Sequence, residues 1–233
     1  MASICCGNGV LEKHIGSIYL GHDTAHIDGY DVSSGSIDVA RANCKGLHGV
    51  EFHVCDVNVA IWSGGYLDAI FANGALHHVT ALDHCLGQLA KALKPSGYLY
   101  VNDYMGPSRF QFTDVQLRLA REIPAKLPDR FVRTRRIERC DPLALAEDDP
   151  SEAVHSDAIF ANIEKHFTIV QRRGYGGTLL GPIFGCGCID PSVFESGDGM
   201  EAIEWLCREE QDLIARGVIP SDHVVVVARP RHV

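Results

Sequence analysis

Two glycines and a polar residue follow directly on a short apolar run in Ser3-Ile4-Cys5-Cys6-Gly7-Asn8-Gly9. Glycine has no Cβ and accepts backbone dihedrals closed to other residues, so such a turn lets the main chain approach a ligand closely. The stretch reads as a strand over 3–6, a ligand-binding turn and a helix N-terminus. Further along, Asn73-Gly74-Ala75-Leu76-His77-His78 sets two imidazoles behind another glycine. Arg130, Arg133, Arg135, Arg136 and Arg139 concentrate positive charge that could meet an anion, although such clusters usually form a solvated face. Cys186-Gly187-Cys188 and twelve histidines raise the question of a metal. One close cysteine pair without a second at ligand spacing does not make a zinc site, and no metal is expected.

These residues need a framework to position them. Beyond the glycine turn, Leu11, Ile15 and Ile18 recur at helical spacing, with Gly16 and Gly21 punctuating the end. Residues 25–31 alternate as a second strand that ends on Asp31, and Ser33 is placed to cap a helix carrying Ile37, Ala40 and Cys44. A third strand over 50–55 ends at Asp56, followed by a short helical stretch over 59–62. A fourth, more continuously apolar strand over 67–72 leads to Asn73, and a helix over 81–93 follows. Lys94-Pro95-Ser96-Gly97 reads as a turn into a fifth strand over 98–103. Strands alternating with helices argue for a parallel, doubly wound α/β sheet, because parallel neighbours need crossover connections.

The rhythm changes after Asp103. Thr113 can cap a helix through Ile123, Pro124 and Pro128 interrupt the chain beyond it, and Glu147-Asp148-Asp149-Pro150 reads as an acidic turn. Residues 104–150 are expected to form a helical cap on a single domain spanning 1–233, whose core is 1–103 and 151–233. In the second part of that core, Ser151 is expected to cap a helix running to Lys165, and a sixth strand covers 167–172. The glycine-rich, apolar stretch 174–191 is expected to pack under the cap. Met200, Ile203, Leu206, Cys207 and Leu213 trace a helix ended by Gly217, and the last strand covers 223–228.

Composition narrows the partners. Hydrophobic residues at 46% and charged residues at 22% suit a globular chain, and no apolar run approaches the roughly 20 residues of a membrane span. A net charge of −9 disfavours nucleic acid, which is bound through basic surface. Nine scattered cysteines, an odd number, suit a reduced cytoplasmic protein better than a disulfide framework, and no secretory signal is visible. A small-molecule partner is expected, with neither nucleic acid nor membrane.

Together these features resemble the class I S-adenosylmethionine-dependent methyltransferases over essentially the whole chain. The resemblance implies a Rossmann-like, seven-stranded, mostly parallel sheet of order 3-2-1-4-5-7-6, its last strand antiparallel, with helices on both faces and a cap after the fifth strand. The family's acidic-x-Gly-x-Gly-x-Gly motif falls on Ser3, Cys5, Gly7 and Gly9, which departs from it at the acidic position and at the first glycine. It implies S-adenosyl-L-methionine as cofactor, leaving as S-adenosyl-L-homocysteine, at Cys5, Gly7, Asn8 and Gly9. Asp31, with Val32 beside it, would take the ribose hydroxyls; Asp56 and the Val57 amide would take the adenine; Asn73 and Gly74 would face the methionine part. The family often has a segment before the first strand that closes over the cofactor. Here the strand opens two residues in, so either a leading segment has been lost or the site is open on that side.

Methyl transfer from a sulfonium is an in-line displacement at an activated carbon, and the protein mainly aligns the two groups. A base is needed only for a hydroxyl or protonated amine. His78, with His77 as its alternative, follows the fourth strand and is the expected neighbour of the transferred methyl; Asp103, Tyr104 and Arg109 are expected to orient the acceptor. Two other readings stand beside this one. A nicotinamide-dependent oxidoreductase would also carry an acid after its second strand, but Glu12 stands where Gly-x-Gly-x-x-Gly requires glycine or alanine. A non-catalytic domain that binds cofactor or partners would account for the altered motif.

Overall fold

In a computed structural model of the chain, which describes residues 1–18 and 25–231, seven strands form one sheet in the order β3-β2-β1-β4-β5-β7-β6. The strands are β1 (Ala2–Ile4), β2 (Ile27–Asp31), β3 (Val50–Val54), β4 (Leu67–Asn73), β5 (Leu93–Tyr104), β6 (Phe167–Gly176) and β7 (His223–Pro230). β1 pairs in parallel with both β2 and β4, and β2–β3 and β4–β5 are parallel as well. β7 runs the other way: Asp222 N–H, just before it, donates to Gly176 O at the end of β6, while Arg231 N–H, just after it, donates to His166 O at the start of β6.

Eight α-helices complete the described residues: α1 (Val10–Ile18), α2 (Ser34–Asn43), α3 (Leu82–Ala92), α4 (Asp114–Glu122), α5 (Pro142–Asp148), α6 (Ile159–His166), α7 (Leu180–Gly185) and α8 (Gly197–Ala215). Chain order runs outward from β1 through α1 and α2 to one edge, then returns to β4 and runs the other way through α3. With right-handed crossovers, that reversal puts α1 and α2 on one face and α3 on the other. It also opens a crevice beyond the carboxyl ends of β1 and β4, where such sheets bind ligands.

Local sequence explains the helix starts. Ser33 caps α2, its hydroxyl accepting from Ser36 N–H at 3.2 Å. Thr113 and Gln116 make a reciprocal capping box on α4. Gly217, at φ 68°, ends α8 in the left-handed conformation that glycine accepts freely.

The chain divides into two compact units. The first is Met1–Asp103 with Val154–Arg173 and Val225–Val233; the second is Tyr104–Ala153 with Gly174–Val224. In the first, Ile37, Ala40 and Cys44 of α2 bury against Phe52 of β3, and Ile15 of α1 against Ile27 of β2. The second has its own core, in which Phe112, Leu117, Ile123 and Phe131 pack with Ile183, Val193 and Leu206. The stretch from Gly174 therefore packs with residues of the expected cap. No helix among the described residues is long and apolar enough to cross a membrane.

Several local expectations are corrected. β1 stops at Ile4, because Cys5 turns to φ 48°. Residues 59–62 are irregular: Asp56 O accepts from Val59 and Ala60, but Val59 and Ile61 are exposed and no apolar face continues the turn. Lys94-Pro95-Ser96-Gly97 is extended and belongs to β5, with a register irregularity between Leu67 and Ala69 on its partner. Ser151 caps nothing; its hydroxyl donates to Asp149 at 2.7 Å, turns follow, and α6 begins at Ile159. The acidic residues before Pro150 close α5 rather than stand as a bare turn. Gly21, expected to end the first helix, lies outside the described residues.

Candidate active site

The turn after β1 keeps a glycine-like path even where glycine is missing. Cys5 holds φ 48°, Gly7 φ 52° and Gly9 φ 73°. The left-handed region is unfavourable for a residue with a Cβ by roughly 1–2 kcal/mol, so Cys5 is strained where a glycine would not be. The two glycines serve different ends. A Cβ on Gly9 would stand 2.9 Å from both Ala40 Cβ and Phe52 Cζ, so Gly9 is fixed by helix and strand packing. A Cβ on Gly7 would meet nothing within 4 Å: the open side of the turn is there. Gly74, at φ 58° after β4, likewise faces open space, and its N–H donates to Asn102 O at 2.8 Å.

Carboxylates at the strand ends hold these turns. Asp31 Oδ2 accepts from Gly7 N–H and its Oδ1 from Ser33 N–H, both at 2.9 Å. Each oxygen has a second lone pair, so Asp31 can still accept two donors. Asp56 Oδ1 accepts from the backbone and side-chain amides of Asn58, both at 2.9 Å, while its Oδ2 has no hydrogen-bond partner among the described residues. Val57 is buried beside it, whereas Val32 and Asn8 are exposed. Asn73 Oδ1 accepts from Asn102 Nδ2 at 2.9 Å. These expected cofactor residues all lie at carboxyl ends of β1, β2, β3 and β4 within the first unit.

Asp103 is a buried hub. Its Oδ2 accepts from Ala75 N–H at 3.0 Å and Leu76 N–H at 2.7 Å, and its Oδ1 lies 2.6 Å from His77 Nδ1. It thus orients the loop after β4 and the His77 ring; the His78 ring lies against it, tilted by 42°, with centroids 4.0 Å apart. Tyr104, the next residue, gives its hydroxyl to Pro107 O at 3.1 Å. The Arg109 guanidinium donates to the backbone carbonyls of Asp149, Pro150 and Glu152, so its charge anchors a turn of its own unit. Four of the five clustered arginines face carboxylates: Arg130 with Asp198, Arg135 with Asp129, Arg136 with Glu138 and Arg139 with Asp114.

Three features carry no motif. Asn58 Oδ1 accepts from Thr80 N–H, Thr80 Oγ1 and Ala81 N–H, tying the end of β3 to the start of α3; an Asp-x-Asn turn is the only trace of this in sequence. Glu12 is wholly buried in α1. Burial pushes its carboxyl pKa up and the Ser3 hydroxyl offsets this in part, although neither carboxylate oxygen completes a hydrogen bond of good geometry among the described residues. Where the family motif has an acid on β1, this chain has Ser3 on the strand and a carboxyl supplied from the helix. Finally, burial raises the thiol pKa of Cys5 and pushes those of Cys6 and of Cys85 on α3 up to about 12, which disfavours their thiolates.

A seven-stranded sheet of this order, with a glycine turn after β1 and acids at the ends of β2 and β3, defines the class of the protein as an α/β methyltransferase fold. A family model described as "Methyltransferase domain" matches residues 3–152, well over half of the chain. The chain belongs to this family, within the class I S-adenosylmethionine-dependent methyltransferases. Among solved structures it is similar to geranyl diphosphate C-methyltransferase from Streptomyces coelicolor A3(2), in complex with Mg2+, geranyl diphosphate and S-adenosyl-L-homocysteine (TM-score 0.58, 11% identity, 99% of this chain and 71% of that one). It is similar to an S-adenosylmethionine-dependent methyltransferase from Mesorhizobium loti (0.57, 14%, 99% and 89%). A third is phosphoethanolamine N-methyltransferase 2 from Haemonchus contortus, in complex with S-adenosyl-L-methionine (0.57, 16%, 99% and 48%). No curated protein matches the chain in sequence.

Proposed function

We propose that the chain binds S-adenosyl-L-methionine along the carboxyl edge of β1 to β4 and transfers its methyl group in line to a small-molecule acceptor. The observation that carries this reading is the open cradle at Gly7, where a Cβ would meet nothing and Asp31 holds the Gly7 amide in place. Asp31 has lone pairs left for two ribose hydroxyls, Asp56 Oδ2 suits an exocyclic amine, the Val57 amide follows it, and the open side of Gly74 suits the methionine part. Similar structures solved with S-adenosylmethionine or S-adenosylhomocysteine support the same ligand.

Bound there, the cofactor would supply a methyl carbon already activated by a sulfonium, open to displacement by an acceptor lone pair. The protein's share is alignment and exclusion of water. For a hydroxyl or ammonium acceptor the departing proton needs a base, and His78 and His77 are proposed for it. Asp103 orients the His77 ring through Nδ1. Asp103 itself acts as a positioning residue.

The test is a thermal shift with S-adenosylhomocysteine against NAD, followed by transfer of labelled methyl to an acceptor panel. S-adenosylhomocysteine is expected to raise Tm, because a ligand that binds only the folded state stabilises it. Stabilisation by NAD alone would overturn the reading, and tight S-adenosylhomocysteine binding with no transfer to any acceptor would leave a cofactor-binding domain without turnover.

A further inference from the structure

The second unit contains a cavity of about 540 Å³ made entirely of its own residues. One wall carries Gly181 and Gly185, spaced by four and so on one side of α7, while Gly177, before the helix, is covered by the His223 ring, which a Cβ there would strike. A Cβ on Gly181 would sit 3.6 Å from the Phe112 ring, and one on Gly185 would meet nothing within 4 Å. The facing wall is aromatic: Tyr104 and Phe110 have ring centroids 5.0 Å apart, and Phe110 and Phe112 6.1 Å.

Phe110 reaches this wall at a conformational cost. Both Arg109 (φ 54°) and Phe110 (φ 51°) are left-handed, a strain of order 1–2 kcal/mol each, and the three carbonyl contacts of Arg109 hold the turn against it. Strain of this kind persists where the surrounding structure enforces it, and it gathers at ligand sites. The charges at the rim are balanced in place, Arg136 by Glu138 at 2.9 Å and Arg139 by Asp114 at 2.5 Å. Each of these rim arginines already faces a carboxylate, so the rim offers an anion little uncompensated positive charge. The cavity size lies within the range typical of small-molecule sites.

The geometry points to a binding site for a neutral aromatic small molecule, with its ring lying in the cavity beside Tyr104 and Phe110, at the end left open by Gly185. The binding site does not depend on the function proposed above.

The test uses the full chain without cofactor, titrated with 1-naphthol and with 1-naphthoate, an anion of the same ring system. Saturable 1-naphthol binding is expected, at least tenfold tighter than 1-naphthoate. Gly185→Phe, whose ring would enter the open space, should weaken it at least tenfold with Tm and S-adenosylhomocysteine affinity unchanged. A measurement on the unmutated chain stands beside this: saturating 1-naphthol should slow iodoacetamide alkylation of the cavity thiols Cys140 and Cys186 at least threefold, and leave the exposed Cys207 unaffected. No saturable binding, equal or tighter naphthoate binding, indifference to a folded Gly185→Phe, or no protection of the two thiols would each overturn the inference. Failure to bind S-adenosylhomocysteine with these results intact would sink the methyltransferase reading and leave this site standing.

Discussion

In the first unit the strand-end carboxylates point at turns. Asp31 and Asp103 accept backbone amides from the segments after β1 and β4 and so shape a polar edge with lone pairs to spare. The second unit spends its buried carboxylates inside its own framework. Glu210 accepts from Gly177, Leu179 and Leu180 N–H, stitching the start of α7 to α8, and Asp222 accepts from Gln116 Nε2 at 2.8 Å. Its cavity is left to aromatic rings and glycine backbone. The same chemical group thus makes a ligand edge where strands end together, and a scaffold where helices must be held to irregular chain.

That contrast can be broken at four points. The largest effect is expected for Glu210→Ala, which orphans three amides: hydrogen bonds to a charged group are worth about 1.5–3 kcal/mol each, so a loss of at least about 4.5 kcal/mol is expected in urea unfolding. Cofactor affinity measured on the remaining folded protein should not change; a parallel loss would mean Glu210 serves the site as well. Next, Asp31→Ala should weaken S-adenosylhomocysteine binding about a hundredfold, about 3 kcal/mol, by calorimetric titration. Unchanged affinity would show that the ribose lies elsewhere.

Asp222 gives a pH signature. Burial raises its carboxyl from 3.8 to about 6 against the pull of Thr178 and Gln116. Because the folded value is the higher one, the native state keeps a proton that the unfolded chain has lost, and stability falls as pH rises from about 4 to about 6. A rise of about two units corresponds to about 3 kcal/mol over that window, and Asp222→Asn should flatten it. Equal pH slopes in the two proteins would refute the assignment. The smallest effect is expected for Arg136→Ala, an exposed partner of Glu138: Tm should stay within error, while a lower 1-naphthoate affinity than in the parent would show that the arginine does recruit anions.

The polar edge was legible because its residues sit at strand ends, where order along the chain gives order in space. Asp31 and Asp56 could be located from alternation and Asn73 from a continuous apolar run, and the sheet order follows the resemblance. Cys5 shows the limit: the motif lacks its first glycine in sequence, yet the backbone takes a positive φ there, because the turn is enforced by β1, β2 and the Gly7–Asp31 bond. Arg109 was legible as a charge but not as an anchor, since its acceptors lie some forty residues away. Glu12 gave no signal, because an acid in a first helical turn is ordinarily a surface residue. The cavity in the second unit joins Phe110, Cys140, Gly185 and His223, a set no spacing rule connects.

The position of β1 has a kinetic consequence. This earliest strand lies inside the sheet, and its Ala2 pairs with both Asp28 and Ile70. The second partner emerges only after a long intervening segment has been made, and the loop entropy of closing it precedes any gain from pairing. Refolding is therefore expected in milliseconds to seconds rather than microseconds. Until β4 arrives, one edge of the β1 strand stays unpaired, which makes the nascent chain most prone to self-association before the cofactor edge exists.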